Sequence, residues 1–78
     1  MPTVRKEGPY RFSSYLDRGE PPHIHVRRDH LVAKFWLNPV VLVRTGGFTA
    51  AELARVNRMI DNRRAEFMEK WNEFFKAD

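Results

Sequence analysis

The chain has 78 residues, with 14 lysines and arginines against 10 acidic side chains, a formal charge of +4 and no cysteine. That is room for one domain; it excludes disulfides, thiol catalysis and cysteine-based zinc sites, and 42% hydrophobic with 31% charged residues argues against intrinsic disorder. No apolar run approaches the roughly 20 residues of a membrane span and the start MPTVRKEGPY lacks a signal-peptide core, so a cytoplasmic protein with no membrane partner is expected. A chain this small buries only about 60% of its unfolded surface. With no disulfide to help, a second copy or a small protein partner is expected to complete the core.

Charge divides the chain. Residues 1–48 carry eight basic and four acidic side chains, whereas residues 49–78 carry six of each, so the excess positive charge lies in the first part. That part is rich in β-branched and aromatic residues punctuated by Pro and Gly, and it reads as strands. Tyr10–Leu16 alternates Tyr10, Phe12, Ser14 and Leu16 against Arg11, Ser13 and Tyr15. Asp17 to Pro22 is a turn, because Gly19 permits unusual backbone angles and the two prolines donate no ladder hydrogen bond. His23–Arg27 sets Ile24 and Val26 against His23, His25 and Arg27. After the short link at Arg28-Asp29-His30, Leu31–Leu37 sets Leu31, Ala33, Phe35 and Leu37 against Val32, Lys34 and Trp36. Asn38-Pro39 breaks that run and Val40–Arg44 follows. Such short links favour an antiparallel meander.

Residues 49–78 contain no Gly and no Pro and read as helix. Thr49 and Glu52 have the spacing of a capping box, and Phe48 and Leu53 that of a hydrophobic staple. Leu53, Val56, Ile60, Phe67, Trp71 and Phe74 then recur at steps of three and four, interrupted at Arg63-Arg64. An unbroken helix to Ala77 runs about 42 Å, while the strands span roughly 17–23 Å. Either the helix bends or breaks near Asp61–Arg64, or its second half overhangs the sheet. An overhang leaves Phe67, Trp71, Phe74 and Phe75 as an interface needing cover. The expected architecture is a single α+β domain over residues 1–78: a four-stranded antiparallel meander sheet over about 10–44, then a C-terminal helical region over about 49–77 packed on one face.

The string Gly19-Glu20-Pro21-Pro22-His23-Ile24-His25-Val26 is uncommon. It is followed by Ala33-Lys34-Phe35-Trp36-Leu37, Pro39-Val40-Val41-Leu42, Gly47-Phe48, Glu52-Leu53 and Trp71-Asn72-Glu73-Phe74-Phe75. From about Tyr10 to Phe75 the chain resembles the small bacterial proteins grouped as domain of unknown function 4160. The resemblance implies no activity and carries over no catalytic residue. It implies a single-domain protein of a two-gene module, similar in arrangement to a toxin–antitoxin pair.

If His23–Arg27 is a strand, His23 and His25 leave the same face, about 6.5–7 Å apart at Cα. Arg27 joins them, with Arg11, Ser13 and Tyr15 from the first strand and Lys34 and Trp36 from the third. The expected binding surface is therefore Arg11, Tyr15, His23, His25, Arg27, Lys34 and Trp36, a basic and aromatic patch opposite the helix. Three readings fit it. The imidazoles are a structural pair held by nearby backbone or carboxylate. Or the patch holds a ligand or nucleic acid, because basic charge with interleaved aromatics suits phosphate contact and base stacking. Or His23 and His25, near pKa 6.5, act as acid and base in a small ribonuclease, or bind a metal of a hydrolase with His30, Asp17, Glu20 or Asp29 as third ligand. His-x-His alone is a weak metal signal, so no metal and no cofactor is expected. Arg55, Arg58, Arg63 and Arg64 read as a solvated helix face with acidic partners, and Lys34 and Arg44 as snorkelling sheet residues.

The leading expectation is a non-catalytic interaction protein that binds a protein partner, possible RNA or DNA included. The enzyme using His23 and His25 is the alternative. A DNA-binding regulator ranks last, since no helix-turn-helix pattern with a basic recognition helix is visible.

Overall fold

The computed structural model describes residues 3–14 and 19–74. Five strands form one antiparallel sheet: β1 (Thr3–Glu7), β2 (Tyr10–Ser13), β3 (His23–Arg28), β4 (Leu31–Leu37) and β5 (Val40–Arg44). They lie side by side in chain order, and two helices, α1 (Ala50–Asn62) and α2 (Arg64–Phe74), follow. The architecture is α+β with one more strand than the periodicity announces. The extra strand, β1, has little apolar signal: Val4 is its one aliphatic residue to join the core. Charge holds it instead. Glu7 accepts a hydrogen bond from Arg63 Nε at 3.1 Å, and Arg5 lies 3.6 Å from Glu66, so β1 is tied to the junction of the two helices.

The turns follow their residues. Gly8, at φ 58°, carries the chain from β1 to β2, and Asp29, at φ 57°, makes the tight β3–β4 hairpin; Asp is among the few residues that tolerate this left-handed region. Asn38-Pro39 is a cis peptide between β4 and β5. Of the expected Tyr10–Leu16 strand, β2 ends at Ser13, and Tyr15, Leu16 and Asp17 lie outside the described residues.

The alternating pattern sorts the two sheet faces. Tyr10, Phe12, Ile24, Val26, Ala33, Phe35 and Leu37 form one apolar face, closed by Phe48, Val56, Ile60 and Phe67. Phe12 meets Phe67 with ring centroids 5.3 Å apart, and Tyr10 stacks on Phe48 at 6.3 Å. Helix α1 starts where the capping residues place it. The Glu52 N–H donates to Thr49 Oγ1 at 3.2 Å, while the Glu52 carboxylate accepts from Tyr10 and Arg28. Burial alone would raise the Glu52 carboxyl, but those hydrogen bonds, and one from the Thr49 backbone, hold it below its usual value.

The helix breaks, as the length mismatch requires. Arg63 leaves helical geometry at φ −117°, ψ 20°, its N–H turned back to Ile60 and Asp61 carbonyls, and α2 restarts at Arg64. The break lets the second helix return over the sheet. Phe67 is fully buried and Trp71 is 7% exposed within the chain itself, so these two are corrected from interface residues to interior ones. Of the other two expected there, the Phe74 side chain and Phe75 lie outside the described residues.

Candidate functional site

Register places the sequence-predicted patch on the face opposite the helices. Ser13 pairs with His25 and His25 with Lys34, which pairs with Arg44. One step along, Arg11 pairs with Arg27. His25, Arg27, Arg11, Lys34 and Trp36 therefore share a face, as the alternation requires. Tyr15 lies outside the described residues.

The His-x-His pair itself is a correction. The two rings do leave the same side, with centroids 5.2 Å apart and nearly perpendicular. They do not project together into solvent. His23 is completely buried. Its ring stands edge-on to Trp36 at 6.0 Å and lies 4.9 Å from the Trp71 ring, and its Nδ1 sits 3.0 Å from the Pro21 carbonyl. The carbonyl can only accept, so Nδ1 is the donor of that hydrogen bond. Its Nε2 is buried with no hydrogen-bond partner among the described residues. Glu20 lies 3.7 Å from Nδ1 and pairs with Lys34 Nζ, so the turn before β3 closes over this end of the face. The Lys34 hydrogen bond is the main reason the Glu20 carboxyl sits below its usual range.

His25 is half-buried beside them. Desolvation, reinforced by His23, Lys34 and Arg44, pushes its pKa down to about 4. It is neutral at pH 7 and holds no proton to deliver as a general acid. His23, sealed under Trp71, cannot meet a substrate in this conformation. The catalytic pair of the alternative reading is thus not presented to solvent as an acid and a base. Lys34, engaged by Glu20 and 9% exposed, is likewise not an open binding group.

His30 occupies the β3–β4 hairpin, at the opposite end of β3 from His23, so it is corrected as a third metal ligand, and Asp29 with it. Among the described residues no three His, Asp or Glu side chains converge on one point.

The other end of the face is open and strongly basic. Lys6 of β1 pairs with Arg11 of β2, and Arg11 with Arg27 of β3. Three cations thus stand in one row across three strands, at steps of about 4.8 Å. All three are exposed, and with Pro9 and Asp29 they line a concavity. Arg27 Nε donates to the Asp29 backbone carbonyl at 2.9 Å, which steadies the guanidinium. The Asp29 carboxylate is turned to Arg28 instead, at 3.2 Å. Among the described residues Lys6, Arg11 and Arg27 meet no carboxylate within ion-pair distance. Like charges directly opposite one another destabilise a sheet, so the row costs the fold something that no ion pair among the described residues offsets. Lys6 escaped the sequence reading because β1 did. The Gly8-Pro9 turn, which folds residues 3–7 back on β2, was the available signal.

The two arginines after α1 are structural. Arg63 binds Glu7, and Arg64 Nη1 donates to Asn38 Oδ1 at 2.9 Å. No helix of the described residues is long and apolar enough to cross a membrane.

Neither a curated protein nor a solved structure matches the chain. The model of the family described as domain of unknown function, DUF4160, matches residues 10–72, which takes in the prolyl turn, both histidines, the basic β2 and β3 positions and Trp71, and the chain belongs to that family.

Proposed function

We propose that this chain is a non-catalytic interaction protein that holds the phosphate backbone of nucleic acid on the open end of its sheet. The observation that carries the reading is the Lys6–Arg11–Arg27 row: three exposed like charges in direct register, with no described carboxylate within ion-pair distance, Asp29 at the rim being paired with Arg28. A polyanion relieves that repulsion on binding and releases its own counterions, which is the usual driving force of backbone contact. Arg44, exposed on the same face beyond Lys34, extends the field toward Trp36, a half-buried ring on which a base can lie. Binding is favoured over cleavage because His23 is sealed and His25 is unprotonated at neutral pH.

Fluorescence anisotropy with labelled single-stranded and duplex oligonucleotides tests this. Binding is expected to weaken with salt, with log K falling against log salt at a slope of about −2 to −3 for three backbone contacts. Each of Lys6→Ala, Arg11→Ala and Arg27→Ala is expected to flatten that slope by roughly one unit. No binding at low salt, or a triple variant that binds like the parent chain, rejects the proposal. Binding to an acidic protein but to neither oligonucleotide rejects it too.

A further inference from the structure

The two edges of the sheet are built differently. β1 forms one edge and β5 the other. β1 carries Arg5, Lys6 and Glu7, the kind of charged side chains with which proteins guard an unpaired ladder. β5 runs Val40, Val41, Leu42 and Val43 before its single charge, Arg44. Val41, Leu42 and Val43 are 45%, 36% and 39% exposed, and they are the large hydrophobic side chains standing open among the described residues. Helix α1 packs against β5, yet no described strand pairs with its outer edge. Four consecutive β-formers on an unguarded edge are a template for another strand.

We infer that β5 pairs antiparallel with β5 of a second copy, joining two sheets across a two-fold axis. The edge is complementary to itself. With the axis at Val41, Val40 faces Leu42 and Val41 faces its own copy, so apolar residues meet apolar residues over Val40–Leu42, where the ladder to β4 is regular; the register shift sets Val43 apart as the extra residue. The two copies of Arg44 then fall at opposite ends of the ribbon, roughly 20 Å apart at ~3.4 Å per residue. That exceeds the ~8 Å over which charges act at physiological salt. Pairing β5 with the β1 edge of a neighbour instead sets the valines against Arg5, Lys6 and Glu7 and leaves free edges at both ends of the chain of copies. The β5–β5 contact closes on itself, with the two charged edges facing outward.

Sedimentation velocity of the chain from about 10 to 500 µM tests this, a range set by a one-strand contact that falls short of the usual ~1,600 Å² interface. A concentration-dependent monomer–dimer equilibrium is expected, abolished separately by Val41→Lys and by Leu42→Lys, both exposed within the paired stretch, with the far-ultraviolet circular dichroism unchanged. Amide exchange gives a second readout: the Val40–Arg44 amides are expected to slow as the parent chain is concentrated, and not in either variant. A monomer throughout that range overturns the inference and leaves the edge to a strand of another protein. A dimer that survives both lysine substitutions overturns it as well, by placing the contact elsewhere.

Discussion

Trp71 lies across His23, ring centroid to ring centroid at 4.9 Å, so the last described helix covers the histidine of the prolyl turn. This contact makes the His-x-His segment part of the interior at one end and part of the surface at the other. His23 gives up solvent for a carbonyl and two indoles, while His25, one step along the same face, keeps partial access.

Trp71→Ala is expected to destabilise the fold by about 3 kcal/mol, because it removes a large ring and opens a void over a buried imidazole. In a chain of this size that corresponds to a fall in Tm of very roughly 12–24 °C. Urea denaturation with an unchanged slope measures it. A loss under about 1 kcal/mol shows that the ring is not a packed lid.

Stability is expected to fall as pH drops from 6.5 toward 4. The unfolded chain takes up a proton on His25 near the ordinary value of 6.5, whereas the folded chain refuses it until about 4. Between those values the unfolded state binds more protons, so stability rises with pH. Glu7, Glu20 and Glu52 act lower down. Their folded values are depressed from 4.5, so their contributions are complete above 4.5 and are lost as pH falls through the folded values. Thermal melts at pH 7 and pH 5 therefore isolate the imidazole from these carboxylates. His25→Gln is expected to shrink the difference in Tm between them, and an unchanged difference assigns the pH dependence to other groups.

Gly46 and Gly8 make a matched pair. Both hold positive φ, at 63° and 58°. A Cβ on Gly46 would lie 2.0 Å from the Val32 carbonyl oxygen, whereas one on Gly8 meets nothing within 4 Å. Gly8→Ala is expected to cost about 1 kcal/mol of backbone strain. Gly46→Ala adds a collision with the backbone of β4, and a loss of at least about 3 kcal/mol is expected. Equal losses in the two variants would show that the turn before α1 yields to the new methyl group.

Local patterns were legible in the sequence and long-range cover was not. Period two around Ile24 and Phe35 placed β3 and β4 and sorted their faces correctly, because burial against one layer of helix demands that alternation. Thr49 and Glu52 marked the start of α1, since a capping box uses residues only three apart. The break at Arg63 followed from comparing lengths. β1 was invisible because its attachment depends on Glu7 reaching Arg63, a pairing that no local pattern announces. The burial of His23 was hidden for the same reason: alternation says which way a side chain points, and only Trp71, far along the chain, decides whether anything lies there.

Spatial order in the sheet is the order of synthesis, each strand lying beside the one made before it. Every ladder therefore closes a short loop, and the search for partners is local, which favours rapid assembly. The helices arrive last. Until they dock, Phe12, Ile24, Val26 and Phe35 stand bare on one side of a finished ribbon, so the interval before docking is when the nascent chain is most prone to aggregate.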